Sequence, residues 1–263
     1  MTKKKIIGFG QLRNEQSRGN LENWFRCMEP CEHIYIFDQA SDDNSKEIYE
    51  KYKNKTTVIY SPTNRFKEEL LCKNELYKLM LKEQPDVDWV LWLDGDLLLD
   101  GRLLVDDNLQ RLCNKLDDAG VDIPGFGHYN LWRSDIHYRL DNEYHGLHGH
   151  WFPLWGRPRE KMIPARTGLH WGQAPEPNWN MRKVDVNVIH RGFATSEDIV
   201  NKYNMYKDFG QNGWALDRLI DETTLKTDEL PPNILPEWFK VENTTKPELQ
   251  PKLVDEYKDK INT

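Results

Sequence analysis

The chain has 263 residues, 38% of them hydrophobic and 30% charged, and a formal net charge of −7. That is enough apolar material for one α/β domain with an annex, and too much for wholesale disorder. The acidic balance lacks the electrostatic footprint of a general nucleic-acid binder, and no run approaches the ~20 apolar residues that span a bilayer.

In chain order, the basic start Met1-Thr2-Lys3-Lys4-Lys5 leads into a short apolar strand over Lys5 to Phe9. That strand is too short for a secretory signal, so a cytoplasmic or membrane-peripheral protein is expected. Leu21, Trp24, Phe25 and Met28 fall at i, i+3, i+4, i+7, the spacing of one helix face. His33 to Phe37 is rich in β-formers and reads as a second strand ending at Asp38. Ser41 to Ser45 is a cluster of helix N-caps before the short amphipathic pattern of Ile48 and Tyr52. Thr56 to Tyr60 is a third strand, Arg65 to Lys82 a longer helix, and Trp89 to Leu93 a fourth strand, apolar throughout. A continuous apolar run fits a strand covered on both faces, as in a parallel sheet. The alternation predicts a parallel sheet flanked by helices, with ligands beyond the carboxyl ends of its strands, where Asp38 and Asp94 both lie.

The second half is less regular. The pattern predicts a helix over Leu103 to Leu116, a strand over Ile123 to Leu131, a loop-rich region over 132–180 crowded with Trp, His, Pro and Arg, a strand over Val184 to His190, and a helix from Ser196 to about Phe209. From Asp228 the prolines predict an extended wrap ending in a charged helix. Cys27, Cys31, Cys72 and Cys113 form no C-x-x-C pair and read as reduced core thiols. The tryptophans between Trp132 and Trp179 suit either an aromatic core or a sugar-facing surface.

Chemistry gathers at Asp94-Gly95-Asp96. In an extended segment residues i and i+2 point the same way, so two carboxylates can address one hard cation, Mn²⁺ or Mg²⁺, shared with substrate phosphates. The competing reading is a hairpin turn, because Asp-Gly between apolar runs is a strong turn signal. Lys73 lies on the apolar side of its helix, where a phosphate or ribose contact is plausible. His190 ends a strand and reads either as a structural histidine or as a third metal ligand, if the sheet brings it to Asp96. His145, His148 and His150 form a weaker zinc candidate.

Four segments, in order, make the chain resemble the GT-A-fold glycosyltransferases of family 2, in particular the branch of lipopolysaccharide-core glucosyltransferases. They are Leu12-Arg13-Asn14-Glu15, the loop Phe37 to Ser45, Lys73-Asn74 with the strand Trp89 to Asp96, and His190 to Glu197 with the trailing Lys202-Tyr203-Asn204-Met205-Tyr206. The resemblance implies a nucleotide-sugar donor, UDP-linked first and GDP-linked second, and a glycan or glycolipid acceptor. It implies that Asp38 contacts the nucleobase, Arg13 lines the base pocket, Lys73 approaches ribose or phosphate, Asp94 contacts ribose or metal-bound water, Asp96 binds the metal, and His190 completes the metal or diphosphate site. Residues 1–227 would form one GT-A catalytic domain, with nucleotide-sugar-binding and acceptor halves meeting near residue 100, and 228–263 a Pro-rich extension. Leu97 and Ala40 depart from the family pattern, and no glutamate follows His170 where that branch carries its His-Glu pair.

The expected reaction is an inverting displacement in which a carboxylate takes the acceptor proton. Asp135, Asp141, Glu176 and Asp185 are the candidates, and Asp141, set in the Trp-rich region, is preferred. Two rivals are a nucleotidyltransferase, for which Gly8 to Arg13 is a poor phosphate loop, and a non-catalytic sugar-binding module.

Overall fold

The computed structural model describes residues 2–140, 153–156, 180–208, 210 and 220–249. Its central sheet has strand order β3-β2-β1-β4-β8. Strands β1 (Ile6–Leu12), β2 (His33–Asp38), β3 (Thr56–Tyr60) and β4 (Trp89–Trp92) run parallel, and β8 (Leu154–Gly156) closes the β4 edge antiparallel. The mainly parallel sheet flanked by helices is the predicted α/β architecture.

Alternation along β1 explains the two layers. Ile7 and Phe9 face helix α3 (Glu69–Glu83), in a cluster with Cys72, Leu76, Tyr77, Met80 and Trp92. Ile6 and Leu12 face the opposite layer, with α1 (Leu21–Cys27) and α2 (Ser45–Lys51). Burial of each large apolar side chain contributes roughly 1.5–3 kcal/mol, so Leu21, Trp24 and Phe25 hold α1 to the sheet despite its seven residues. Trp24 Nε1 donates to the carbonyl of Leu93 at 3.0 Å, pinning the chain where β4 ends and the acidic triplet begins. That close approach requires Gly10, since a Cβ there would stand 2.4 Å from the Trp24 ring. All four cysteines are buried and free, as expected.

After the triplet the chain leaves the central sheet. Strand β5 (Leu97–Leu99) joins a second sheet, β5-β9-β6, with β6 (Ile123–Asn130) and β9 (Met181–His190). The strands on either side of Asp94-Gly95-Asp96 therefore do not pair, and the triplet is a crossover between sheets rather than a hairpin. Register brings distant residues together here. His190, at the end of β9, lies opposite Leu97 on one side and Asn130 on the other.

The helix predicted over Leu103 to Leu116 starts later. The Asp100 carboxylate accepts from Arg102 N–H and begins a 3₁₀ turn over Gly101–Leu103. Asp106 and Asp107 then take left-handed backbone (φ 50° and 58°), which interrupts a right-handed helix, and α4 runs Asn108–Asp118. Helix α5 spans Ser196–Asp208. Strand β7 (His137–Arg139) pairs with β10 (Thr227–Glu229). The chain beyond β10 is extended, and Leu230, Ile234 and Phe239 enter the same core as α1. The charged helix expected at the end falls at 250–263, outside the described residues. Among the described residues no helix is long and apolar enough to cross a membrane.

Candidate active site

Asp94 and Asp96 leave β4 in different directions. Asp94 turns toward α3, where Lys73 Nζ stands 3.8 Å from its Oδ1. Lys73 is 3% exposed. Its ammonium also binds Glu69 and lies 4.2 Å from the centre of the Trp92 ring, a cation–π arrangement. Although the Asp94 side chain is 39% exposed, desolvation by the surrounding protein lifts its carboxyl above the ordinary value, against the pull of Lys73.

Asp96 turns toward the second sheet. Its Oδ2 lies 3.2 Å from His190 Nε2 and accepts from Lys202 Nζ at 2.8 Å. Lys202 sits in α5, and its Nζ also meets His190 Nε2 at 2.9 Å. On the far side of the ring, His190 Nδ1 is 2.5 Å from Asn130 Oδ1. An amide oxygen can only accept, so Nδ1 carries the proton and Nε2 accepts from Lys202, with the Asp96 oxygen beside it. Two acceptor atoms, a carboxylate oxygen and an imidazole nitrogen, thus converge on one point, which suits a cation.

The charges follow from this geometry. Burial would raise the Asp96 carboxyl, but the Lys202 ammonium holds it well below the usual carboxylate range. Burial and the Lys202 ammonium together lower His190, against the pull of Asp96. Burial works to deprotonate Lys202, and Asp96 outweighs it, so the ammonium is retained.

Two glycines make the cluster possible. A Cβ at Gly192 would lie 2.0 Å from Lys202 Nζ and 2.5 Å from both Asp96 Oδ2 and His190 Nε2, so it would fill the point of convergence. A Cβ at Gly95 would lie 2.4 Å from Glu15 Cγ. Glu15 is buried against the triplet, and its Oε2 accepts from Asn20 Nδ2 at 2.9 Å. Burial and the neighbouring Asp96 push its carboxyl up to about 7, against Arg18, Asn20 and Lys202. Arg191 closes this side, its backbone N–H on Asp96 O and its guanidinium on Asn20 Oδ1.

Of the residues singled out in the sequence, Lys73 meets Asp94 and Asp96 meets His190, on the two sides of the triplet. Asp38 is buried and faces the α2 layer, its Oδ1 accepting from Ser41 N–H and its Oδ2 from the Tyr49 hydroxyl, both at 2.9 Å. Arg13 is exposed just past β1. Asp135 is taken up by the backbone N–H groups of Glu242 and Asn243, and Asp185 is exposed on β9. Asp141, Glu176, His170 and the histidines 145, 148 and 150 lie outside the described residues. Sequence reasoning missed Asn130, Gly192 and the role of Lys202. Gly192 and Lys202 left a signal, one inside the His190 motif and the other as the first residue of the segment trailing it. Among the described residues no group of three or more His, Cys, Asp or Glu converges as a metal cluster.

No family model matches the sequence, and no curated protein does. Parts of several solved structures are similar to it. A crystal structure of S. aureus TarS 1-349 in complex with UDP is 18% identical, with a TM-score of 0.38 over 48% of this chain and 36% of that one. Another of TarS 1-349 is 11% identical, with a TM-score of 0.43 over 84% and 70%. A glucosyl-3-phosphoglycerate synthase from Mycobacterium tuberculosis, in complex with Mn²⁺, UDP and glucosyl-3-phosphoglycerate, is 15% identical, with a TM-score of 0.30 over 48% and 44%. The chain spans about a third of the length of the UDP-bound TarS fragment.

Proposed function

We propose that this chain transfers a glycosyl group from a nucleoside diphosphate sugar, UDP-linked before GDP-linked, to a hydroxyl of a glycan or glycolipid. The observation that carries this is the convergence of Asp96, His190 and Lys202 beside Asp94 and Lys73, at the carboxyl end of a parallel sheet, where such sheets place their ligands.

The donor chemistry fits a divalent ion. Two neighbouring positions on an octahedral ion with ligands at about 2.1 Å are about 3 Å apart, close to the 3.2 Å between Asp96 Oδ2 and His190 Nε2. Such ions take one or two protein ligands and complete their shell with water and substrate phosphates, and the imidazole favours Mn²⁺ over Mg²⁺. Asn130 behind His190 is the kind of outer partner that orients a ligating imidazole. When bound, the ion would act as a Lewis acid on the departing diphosphate.

In this reading Lys73 faces the ribose or phosphate with Asp94 alongside, Asp38 shapes the loop that borders the base, and Arg13 flanks it. The acceptor oxygen bonds to the anomeric carbon as that carbon's bond to the diphosphate breaks, with inversion. The acceptor proton passes to a carboxylate, for which Asp141 is the proposed base. Residues 1–227 would supply the catalytic unit, and 228–263 the extension that wraps it.

The test is thermal unfolding with a panel of nucleoside diphosphates, with and without Mn²⁺, on wild type and Asp96→Asn. A ligand at 100 times its dissociation constant adds about 2.7 kcal/mol of stability. Stabilisation by one nucleotide that needs metal and Asp96 supports the reading. A shift with a glycan alone, and with no nucleotide, overturns it.

A further inference from the structure

The two atoms that would seat a divalent ion already hold a cation belonging to the chain. Lys202 Nζ lies 2.8 Å from Asp96 Oδ2 and 2.9 Å from His190 Nε2. Neutral imidazole has one acceptor nitrogen with one lone pair. With Nδ1 directed at Asn130, that nitrogen is Nε2, and it can receive the lysine N–H or bind a metal, but not both. Asp96 Oδ2 accepts from the same ammonium. Lys202 is also built in: its side chain is 11% exposed, and Nζ lies 4.8 Å from the centre of the Phe193 ring. Gly192 leaves open the volume the ammonium uses, since a Cβ there would stand 2.0 Å from Nζ.

We propose that Lys202 is a displaceable plug in the cation seat. In the metal-free protein its ammonium neutralises Asp96 and covers the His190 lone pair, keeping two acceptor atoms together that would otherwise repel. A divalent ion enters by displacing it. The long flexible stem of lysine allows the head to leave while the helix stays in place. The displaced ammonium then needs an anion at the same rim, and a nucleoside diphosphate supplies one. Metal and donor therefore bind better together than the metal binds alone. This inference rests on the reading of Asp96 and His190 as ligands of the ion.

The experiment is titration of the full chain with Mn²⁺ alone, followed by electron paramagnetic resonance, for wild type, Lys202→Met and Lys202→Gln. Asp96→Asn in each background identifies the site, and a thermal melt of each variant checks that it is folded. Loss of the plug should tighten Mn²⁺ binding about tenfold or more in both lysine variants. It should also shrink the gain in Mn²⁺ affinity that UDP produces in wild type. If wild type binds Mn²⁺ at Asp96 as tightly as the lysine variants do, the plug is refuted and the metal reading stands. If none of the proteins binds Mn²⁺ through Asp96, the metal reading fails and the plug with it.

Discussion

Asp94 and Asp96 are two residues apart on one turn, yet their carboxyl groups move in opposite directions. Asp94 is raised above its ordinary value and Asp96 is held well below it. Asp96 is the more buried of the two, so burial alone would raise it the more and order them the other way. The difference lies in how closely each is met by its cation. Lys73 divides its charge among Glu69, the Trp92 ring and Asp94, and stays 3.8 Å away from the last. Lys202 donates directly to Asp96 at 2.8 Å, and His190 lies beside it. A carboxylate met at hydrogen-bond distance by a buried ammonium keeps its charge, and one met loosely keeps less of it. Of the two, Asp96 is therefore the better anionic ligand and Asp94 the more readily protonated group.

The largest expected effect tests that ranking. Asp96→Asn should lower glycosyl transfer by on the order of 10²–10³-fold, and Asp94→Asn by less, in steady-state assays with the donor identified by the nucleotide panel. Equal losses would erase the distinction. Next is the support behind His190. Asn130→Ala frees the imidazole to turn, and should weaken Mn²⁺ binding in the presence of UDP by about 10–100-fold, with no matching effect on the Lys73–Asp94 side. An unchanged affinity would mean that the Asn130 bond does not hold Nε2 in place.

Gly192→Ala sharpens the comparison through packing. Its methyl group would occupy the convergence point and drive Lys202 or His190 from Asp96, so a loss of about 1–3 kcal/mol in urea unfolding is expected. The last comparison concerns Glu15, whose folded carboxyl is raised to about 7 from an ordinary value of 4.5. A carboxyl raised on folding binds its proton more tightly in the native state. Its contribution to stability is therefore full below about pH 4.5 and is lost as pH rises through about 7. Urea midpoints of the metal-free protein should decline across that interval, and Glu15→Gln should flatten the decline. An equal slope in both proteins would assign the effect to another group.

Much of the fold was legible in the sequence because its signals are local. The i, i+3, i+4, i+7 spacing of Leu21, Trp24, Phe25 and Met28 marks α1, and the apolar run at Trp89 to Leu93 marks a strand covered on both sides. Their order alone implies strand ends that gather Asp38 and Asp94. The site was legible in part. Asp94, Asp96, Lys73 and His190 stand at strand ends or on an apolar helix face, where a polar residue is conspicuous. The later start of α4 was hidden because Asp106 and Asp107 adopt left-handed backbone within an otherwise helical pattern.

By itself, then, the sequence determined the strand-helix alternation, the parallel sheet and the acidic triplet at its rim, since each depends on residues a few positions apart. Only the tertiary structure decided which groups meet there. Asp96 and His190 are 94 residues apart, and Asp96 and Lys202 are 106 apart. They meet because β5 leaves the central sheet, pairs Leu97 with His190, and so brings α5 back over the turn. The structure likewise turned Asp38 inward to Tyr49, away from Asp94, although both end parallel strands. Periodicity fixes which face of an element is apolar, but register between distant strands and the reach of a lysine from a helix are set by packing of the whole chain, and no local pattern encodes them.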